Sequence, residues 1–207
     1  MKVLALELSS GQGSLSCLVD GEEIFTRSFS NDRKHSGLFF ENLQLCLQRG
    51  GSPNAIVVGL GPGSYAGVRI AIAAAVGLRA ASAAKLTGIP SICGVEAARE
   101  YCVIGDARRG SFFFGRVSNG RMIEGPSLHS GEELETRMME RSWPTYASEK
   151  LTRFPLATLA YPSARRLAEL TRDRIGEIAD TQVLEPIYLR EPHITAPKTP
   201  RTSVINQ

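Results

Sequence analysis

Ile56-Val-Val-Gly-Leu-Gly-Pro-Gly-Ser-Tyr-Ala-Gly-Val-Arg69 decides the fold of this chain. An apolar, β-branched run over 55–58 stops at a glycine-rich turn, and an alanine-rich segment over about 66–84 follows at once. That is the pattern of strand, tight turn and helix, with Gly61 and Gly63 able to take positive φ or to admit a second backbone. Ser64 sits where a helix N-cap belongs, and the N–H groups behind it would form an anion site. The turn lacks the lysine and hydroxyl of a Walker loop, and Gly61, Gly63 and Gly67 are spaced one residue too long for G-x-G-x-x-G. Two readings stay open on these grounds, a phosphate loop and a purely structural turn.

Working outward, residues 2–8 read as a buried first strand. The runs 14–19 and 23–29 alternate imperfectly around Asp20-Gly21, a strong two-residue hairpin signal. A helix is expected from His35-Ser36 to about Gln48, with Leu38, Phe39, Asn42, Leu43, Cys46 and Leu47 spaced for one face, ended by Gly50-Gly51-Ser52-Pro53. The strand at 55–60, the alanine-rich helix and a further strand near 89–93 complete the half. Three strands, helix, strand, helix, strand is the order of the ribonuclease H-like core of actin-like ATPases and sugar kinases. The expected fold is therefore α/β, a two-lobed actin-like arrangement whose mixed sheet has its first three strands antiparallel and is flanked by helices.

The second half reads as a smaller α/β unit. Runs 103–106 and 112–117 are strand-like around Ala107-Arg-Arg-Gly110, and helices are expected over 131–141 and 161–175, the latter with Leu167 and Leu170 among its apolar positions. The organisation expected is a first domain over 1–100 carrying the partner interface, a second over 101–190 and an extended or disordered tail over 191–207 containing Pro192, Pro197 and Pro200. No internal repeat is visible in the sequence.

Composition narrows the class. At 207 residues, with 43% hydrophobic and 22% charged positions, the chain has the profile of a globular protein. A net charge of +3 is too small to argue for nucleic acid by itself, and Arg108-Arg109 and Arg165-Arg166 are isolated pairs rather than a basic tract of the nucleic-acid or membrane kind. Glu7 interrupts the apolar start before a signal segment can form, and the longest apolar run of the alanine-rich helix is too short to span a bilayer. Cys17, Cys46, Cys93 and Cys102 form no C-x-x-C pair and read as reduced thiols in a cytoplasmic protein.

Several motifs fall away. Ser82-Ala-Ala-Lys85 has the spacing of an Ser-x-x-Lys nucleophile, but no Ser-Asp-Asn or Lys-Thr-Gly accompanies it. Gly63-Ser64 does not complete G-x-S-x-G, and no His-Glu-x-x-His is present. Glu22-Glu23 and Glu132-Glu133 read as solvated charges. Asp106 followed by Arg108 and Arg109 either holds a phosphate or partner carboxylate bidentately or fixes its own turn as a local ion pair. The small residues of the alanine-rich helix suit either a core or contact with another subunit.

Glu7-Leu8-Ser9, His35-Ser36, the 61–69 turn, Asp106-Ala-Arg-Arg109 and the closing Pro186-Ile-Tyr-Leu-Arg190 occur in order through almost the whole chain. Together they resemble the TsaB family, whose members carry Asp-Thr-Ser, His-Ser, Gly-Pro-Gly-Ser-Phe-Thr-Gly-Leu-Arg and Asp-Ala-Arg-Arg. The resemblance implies a non-catalytic actin-like protein with no activity of its own. It would pair through its N-terminal helices with TsaD, the subunit that makes threonylcarbamoyladenosine at position 37 of tRNA. The partner face implied comprises His35, Leu38, Phe39 and Asn42 with Ile70, Ala74, Gly77 and Ala81. A TsaE-like ATPase would join the assembly, tRNA would be met only through the complex, and the chain alone could form a homodimer.

ATP or ADP with magnesium would sit at the complex interface, with no intrinsic cofactor and no bound metal. The nucleotide or phosphate contacts implied are Gly61, Gly63, Ser64, Tyr65, Gly67, Arg69, Asp106, Arg108 and Arg109. TsaD holds its metal with a His-x-x-x-His pair, whereas His35, His129 and His193 are far apart here. Glu7 replaces the family's aspartate, and Tyr65-Ala66 replaces Phe-Thr. The alternative is a free-standing actin-like ATPase or small-molecule kinase using the 61–69 turn for phosphate.

Overall fold

The computed structural model describes residues 1–31, 36–140, 143–174, 180–181 and 183–190. The first sheet has the order β3-β2-β1-β4-β5, built from β1 (Lys2–Glu7), β2 (Gln12–Val19), β3 (Glu22–Ser30), β4 (Ala55–Gly59) and β5 (Lys85–Ile89). β1, β2 and β3 are antiparallel, whereas β1, β4 and β5 run parallel. Asp20 and Gly21, both at positive φ, close the β2–β3 hairpin between the paired residues Val19 and Glu22, as a two-residue primed turn requires.

The alternation of β1 sorts the helices onto the two faces. Leu4 and Leu6 join Ile56 and Val58 in a core covered by α1 (Ser36–Gly50) and α2 (Tyr65–Ala80). Val3, Ala5 and Val57 point the other way, onto Ala164, Leu167 and Ala168 of α4 (Ala164–Asp173). α1 presents Phe39, Leu43 and Cys46 inward, one stripe at helical spacing. α2 buries only small residues, Gly67, Val68, Ala71 and Ala75, so its backbone lies close to the sheet.

The second sheet repeats the plan. Its order is β10-β9-β6-β7-β8, from β6 (Glu100–Asp106), β7 (Ser111–Ser118), β8 (Arg121–Ser130), β9 (Thr145–Ala147) and β10 (Thr158–Leu159). β6, β7 and β8 are antiparallel, and β6, β9 and β10 are parallel. Helix α3 (Gly131–Met139) follows the third strand as α1 does in the first lobe, and a Ser130–Glu133 capping box starts it. The sequence shows no repeat, yet the topology is duplicated. The molecule is thus the two-lobed, ribonuclease H-like arrangement expected. A 3-10 turn, Ser91–Gly94, joins the lobes, and α4 returns from the second half of the chain to the first sheet.

Some elements depart from expectation. The alanine-rich helix stops at Ala80 rather than near 84, with Ala81 as C-cap and Ser82 Oγ donating to the Leu78 carbonyl. The strand placed near 89–93 lies at 85–89, because Lys85 N–H already pairs with Asn54 O and Pro90 has no N–H to continue. β8 was not expected, since Gly125-Pro126 interrupts its pattern; as an edge strand it tolerates a proline. The expected tail over 191–207 lies outside the described residues.

The glycine turn is held backbone to backbone. Ser64 N–H donates to Ser9 O at 2.6 Å, and Ser64 Oγ accepts from Gly67 N–H, making the expected N-cap. A Cβ at Gly63 would overlap the Ser9 carbonyl, and one at Gly67 would overlap the Leu8 carbonyl oxygen. Gly77, on the outer side of the same helix, has nothing within 4 Å of its would-be Cβ.

These two helical glycines should respond oppositely to one substitution. Gly67→Ala is expected to lower unfolding free energy by roughly 1–3 kcal/mol through overpacking. Gly77→Ala should raise it by about 0.5–1 kcal/mol through helix propensity. Urea midpoints of both variants check the pair, and equal shifts would contradict the close-approach reading.

Candidate functional site

A cavity of about 810 Å³ opens between the lobes, lined by the β1–β2 turn, the start of α2, the Asp106–Arg108 turn and the closing segment. Four of the stretches of sequence singled out above therefore meet in one place. The closing segment spans the cleft. Ile187 N–H donates to Leu60 O in the first lobe, and Arg190 Nη2 reaches Ser111 Oγ at 2.7 Å in the second. Between them Tyr188 stacks on Tyr65, with ring centroids 5.2 Å apart. The Arg69 guanidinium lies 5.0 Å from the Tyr65 ring centroid and also donates to the Tyr65 hydroxyl.

Three of the turn's own donors are committed. Gly61 N–H donates to Ser91 Oγ, Ser64 N–H to Ser9 O, and Gly67 N–H to the Ser64 cap. Asn31 Nδ2 clamps the facing turn by donating to Leu8 O and Ser10 O. Asp106 takes Arg108 in two ways, Oδ1 accepting the backbone N–H and Oδ2 accepting Nη1 at 3.0 Å. The pair fixes the turn on which Arg108 and Arg109 stand at positive φ. Of the two roles open for these residues, the local ion pair is formed.

Glu7 is the decisive side chain. It is wholly buried; Oε1 accepts Ser9 N–H at 2.6 Å, and Oε2 has no hydrogen-bond partner. Its carboxyl points beneath Gly59 rather than into the cleft. Burial pushes its pKa above the ordinary carboxylate value, and the nearby Ser9 and Ser91 oppose this more weakly. Glu149, at the cleft wall, accepts the Asp106 N–H. With Glu7 turned away and Asp106 engaged by Arg108, these residues do not fit a magnesium nucleotide held by the chain alone. Among the described residues no cluster of three or more His, Cys, Asp or Glu could hold a metal ion.

The residues implied for a partner face divide. Phe39 is buried in the core and Leu38 is half-buried; Asn42 Nδ2 bonds back to the Leu38 carbonyl. Ile70 and Ala74 pack against the core, whereas Gly77 and Ala81 are exposed. His35 lies outside the described residues. The outward sides of α1 and α2 instead carry Phe40, Leu45, Ala73, Val76 and Ala80, with Phe40 at 52% and Val76 at 45% exposure. Sequence reasoning gave no role to Tyr188, Arg190 or Asn31. The closing Pro-Ile-Tyr-Leu-Arg was noticed as a motif, but its partners are distant in the chain.

Comparison with known proteins agrees with this architecture. Residues 32–128 match the family of TsaD, tRNA N6-adenosine threonylcarbamoyltransferase. An uncharacterized protein of Mycobacterium leprae is 30% identical over 155 residues, 71% of this chain and 42% of that protein. The chain thus spans under half the length of that curated relative. A solved Pseudomonas aeruginosa protein with similarity to the peptidase YeaZ superposes with a TM-score of 0.73 at 22% identity, covering 91% of this chain and 99% of that one. YeaZ from Pseudomonas aeruginosa superposes with a TM-score of 0.69 at 20% identity over the same shares. The fold is that of YeaZ, as the TsaB resemblance implied. No helix among the described residues is long and apolar enough to cross a membrane.

Because the folded state holds the Glu7 proton more tightly than the unfolded chain, ionisation works against folding. That cost is absent below the unfolded value near 4.5 and grows as pH rises toward the raised folded value. Glu7→Gln keeps an acceptor for Ser9 N–H and removes the ionisation. Its melting temperature is expected to match the parent's near pH 4 and to exceed it increasingly toward pH 8. A constant offset across that range would show that Glu7 does not titrate as described.

Proposed function

We propose that this chain is a non-catalytic subunit of the machinery that makes threonylcarbamoyladenosine at position 37 of tRNA, pairing with a TsaD-like catalytic protein. The observation that carries the reading is the outward side of α1 and α2. Phe40, Leu45 and Val76 stand exposed there beside Ala73, Gly77 and Ala80. Small residues on one helix and large apolar ones on its neighbour allow close helix packing against a similar pair. The match of residues 32–128 to the TsaD family supports a partner built on the same plan.

In this reading the chain works in the cytoplasm, a TsaE-like ATPase joins the pair and tRNA is touched only through the complex. ATP or ADP with magnesium is held at the complex interface rather than by this chain alone, for which Glu7 offers no ligand. The first lobe, over 1–100, supplies the interface, and without its partner the same face can pair with a second copy. A free-standing ATPase or kinase is the less supported reading. It needs a free acidic ligand in the cleft, whereas Glu7 has turned away and Asp106 is paired with Arg108.

Light scattering on a sizing column tests the pairing. Mixed with the TsaD-like protein of the same organism, the chain should elute as a mixed assembly. Ala73→Trp or Val76→Asp should weaken that assembly by at least about 30-fold, the loss of a central contact, while circular dichroism stays unchanged. Two unmixed peaks from the wild-type chain, with or without ATP and magnesium, would overturn the proposal. ATP turnover by the chain alone, abolished by Gly63→Val, would favour the second reading.

A further inference from the structure

A second cavity lies at the other end of β6 from the cleft, where α4 meets the second lobe. Its volume is about 240 Å³, and Arg99, Arg166 and Arg174 stand in its wall with Tyr101 and Leu170. The outward side of α1 and α2 is across the first sheet from α4, so this cavity has no part in the pairing proposed above.

The β7–β8 turn gathers two of the guanidinium groups. Asn119 N–H donates to Arg99 O at 2.9 Å, and Arg99 Nε donates to Asn119 Oδ1 at 2.6 Å. Arg174, the C-cap of α4, donates through Nη1 to Gly120 O and through Nη2 to Asn119 O. Gly120 takes positive φ there, and a Cβ on it would stand 2.4 Å from Leu170 Cδ2. Turn and helix end are therefore packed closely, with Asn119 and Gly120 in the same wall as the two arginines that bind them. Arg166 adds a third cation about two helical turns before Arg174.

The neighbouring carboxylates are engaged elsewhere. Glu169 accepts Arg166 Nη1 at 3.2 Å, and Asp173, which also lines the cavity, accepts Arg172 Nε and Nη2 on Oδ1. Glu100 accepts from Ser118 Oγ. Among the described residues neither Arg99 nor Arg174 is in an ion pair, and Arg99 donates through Nε alone. We propose that this cavity is a binding site for inorganic phosphate, held between Arg99 and Arg174 with Arg166 beside them. A planar carboxylate is satisfied by one guanidinium fork, whereas a tetrahedral phosphate has oxygens for forks arriving from separate elements. The cavity is smaller than the roughly 300–1,000 Å³ of sites that take drug-sized ligands, which suits a small ion.

The test titrates the full chain, labelled with nitrogen-15, with inorganic phosphate at constant ionic strength. Arginine Nε–H and backbone amide signals are followed by NMR. Saturable shifts are expected at Arg99, Arg174 and Gly120, half-complete at about 1 mM or below. The melting midpoint should rise with phosphate concentration. Acetate should bind at least about 10-fold more weakly, since it engages a single fork. Arg99→Gln should weaken phosphate binding by about 10-fold or more, the loss of one charged donor, with circular dichroism unchanged. Arg174 also fastens α4 to the turn, so Arg99→Gln is the variant that decides; if it does not fold, the wild-type map of shifts decides. Shifts confined to cleft residues such as Ser64 and Arg108 would overturn the proposal. So would the lack of saturable shifts, an unchanged affinity in Arg99→Gln, or acetate binding as tightly as phosphate.

Discussion

The contact on which the rest of the molecule depends is made between two pieces of backbone. Ser64 N–H meets Ser9 O, while Gly63 and Gly67 lie flat against the Ser9 and Leu8 carbonyls. Any side chain at those two glycines would hold α2 away from the β1–β2 turn. The residues that α2 buries are small, Gly67, Val68, Ala71 and Ala75, so a displaced helix would lose its close contact with the sheet. The turn therefore acts as a joint that seats a short-side-chain helix on a sheet. That role commits the Gly61, Ser64 and Gly67 N–H groups to the protein's own acceptors.

The elements that sequence made legible are those whose signals are local. Asp20-Gly21 set a hairpin, Ser64 set a helix start, and the order of strands and helices in the first half foreshadowed the sheet. The alanine-rich helix was readable as a helix but not in its limits or its facing. Alanine gives no contrast between core and solvent, and adjacent residues such as Ala73 and Ala74 point about 100° apart around the helix axis. The same ambiguity exchanged Phe39 for Phe40, since both are apolar and only the sheet beneath decides which is covered. The duplicated lobe was invisible because topology, not residue identity, is what repeats.

At the cleft, motif and geometry diverged in an instructive way. Glu7 was found by its position at the end of β1, but no motif reports the direction of a carboxyl. A glutamate has one methylene more than an aspartate, and here that reach is spent folding the carboxyl back onto Ser9 N–H beneath Gly59. Asp106 behaves likewise, turning to its own Arg108. The stacked pair Tyr65 and Tyr188, and the span of Arg190 to Ser111, rest on residues far apart in the chain. Pairings of that kind are set by the fold as a whole.

The two lobes are tied at more than one place, and this bears on what the cleft can do. Leu167 and Ala168 of α4 pack beneath the first sheet, while Leu170 of the same helix enters the core of the second lobe. At its start, Ala164 N–H donates to Ser14 Oγ and Ser163 N–H to Gly94 O. The closing segment adds a second tie, from Leu60 to Ser111 through Ile187 and Arg190. An actin-like enzyme that closes on its substrate must let its lobes rotate, and here rotation would break both ties and unstack Tyr188 from Tyr65. Lobes strapped in this manner keep the two sheets in a fixed relation, which supports the subunit role proposed above. The outward side of α1 and α2, on the face of the first sheet opposite α4, is the apolar surface that such a support would hold in place.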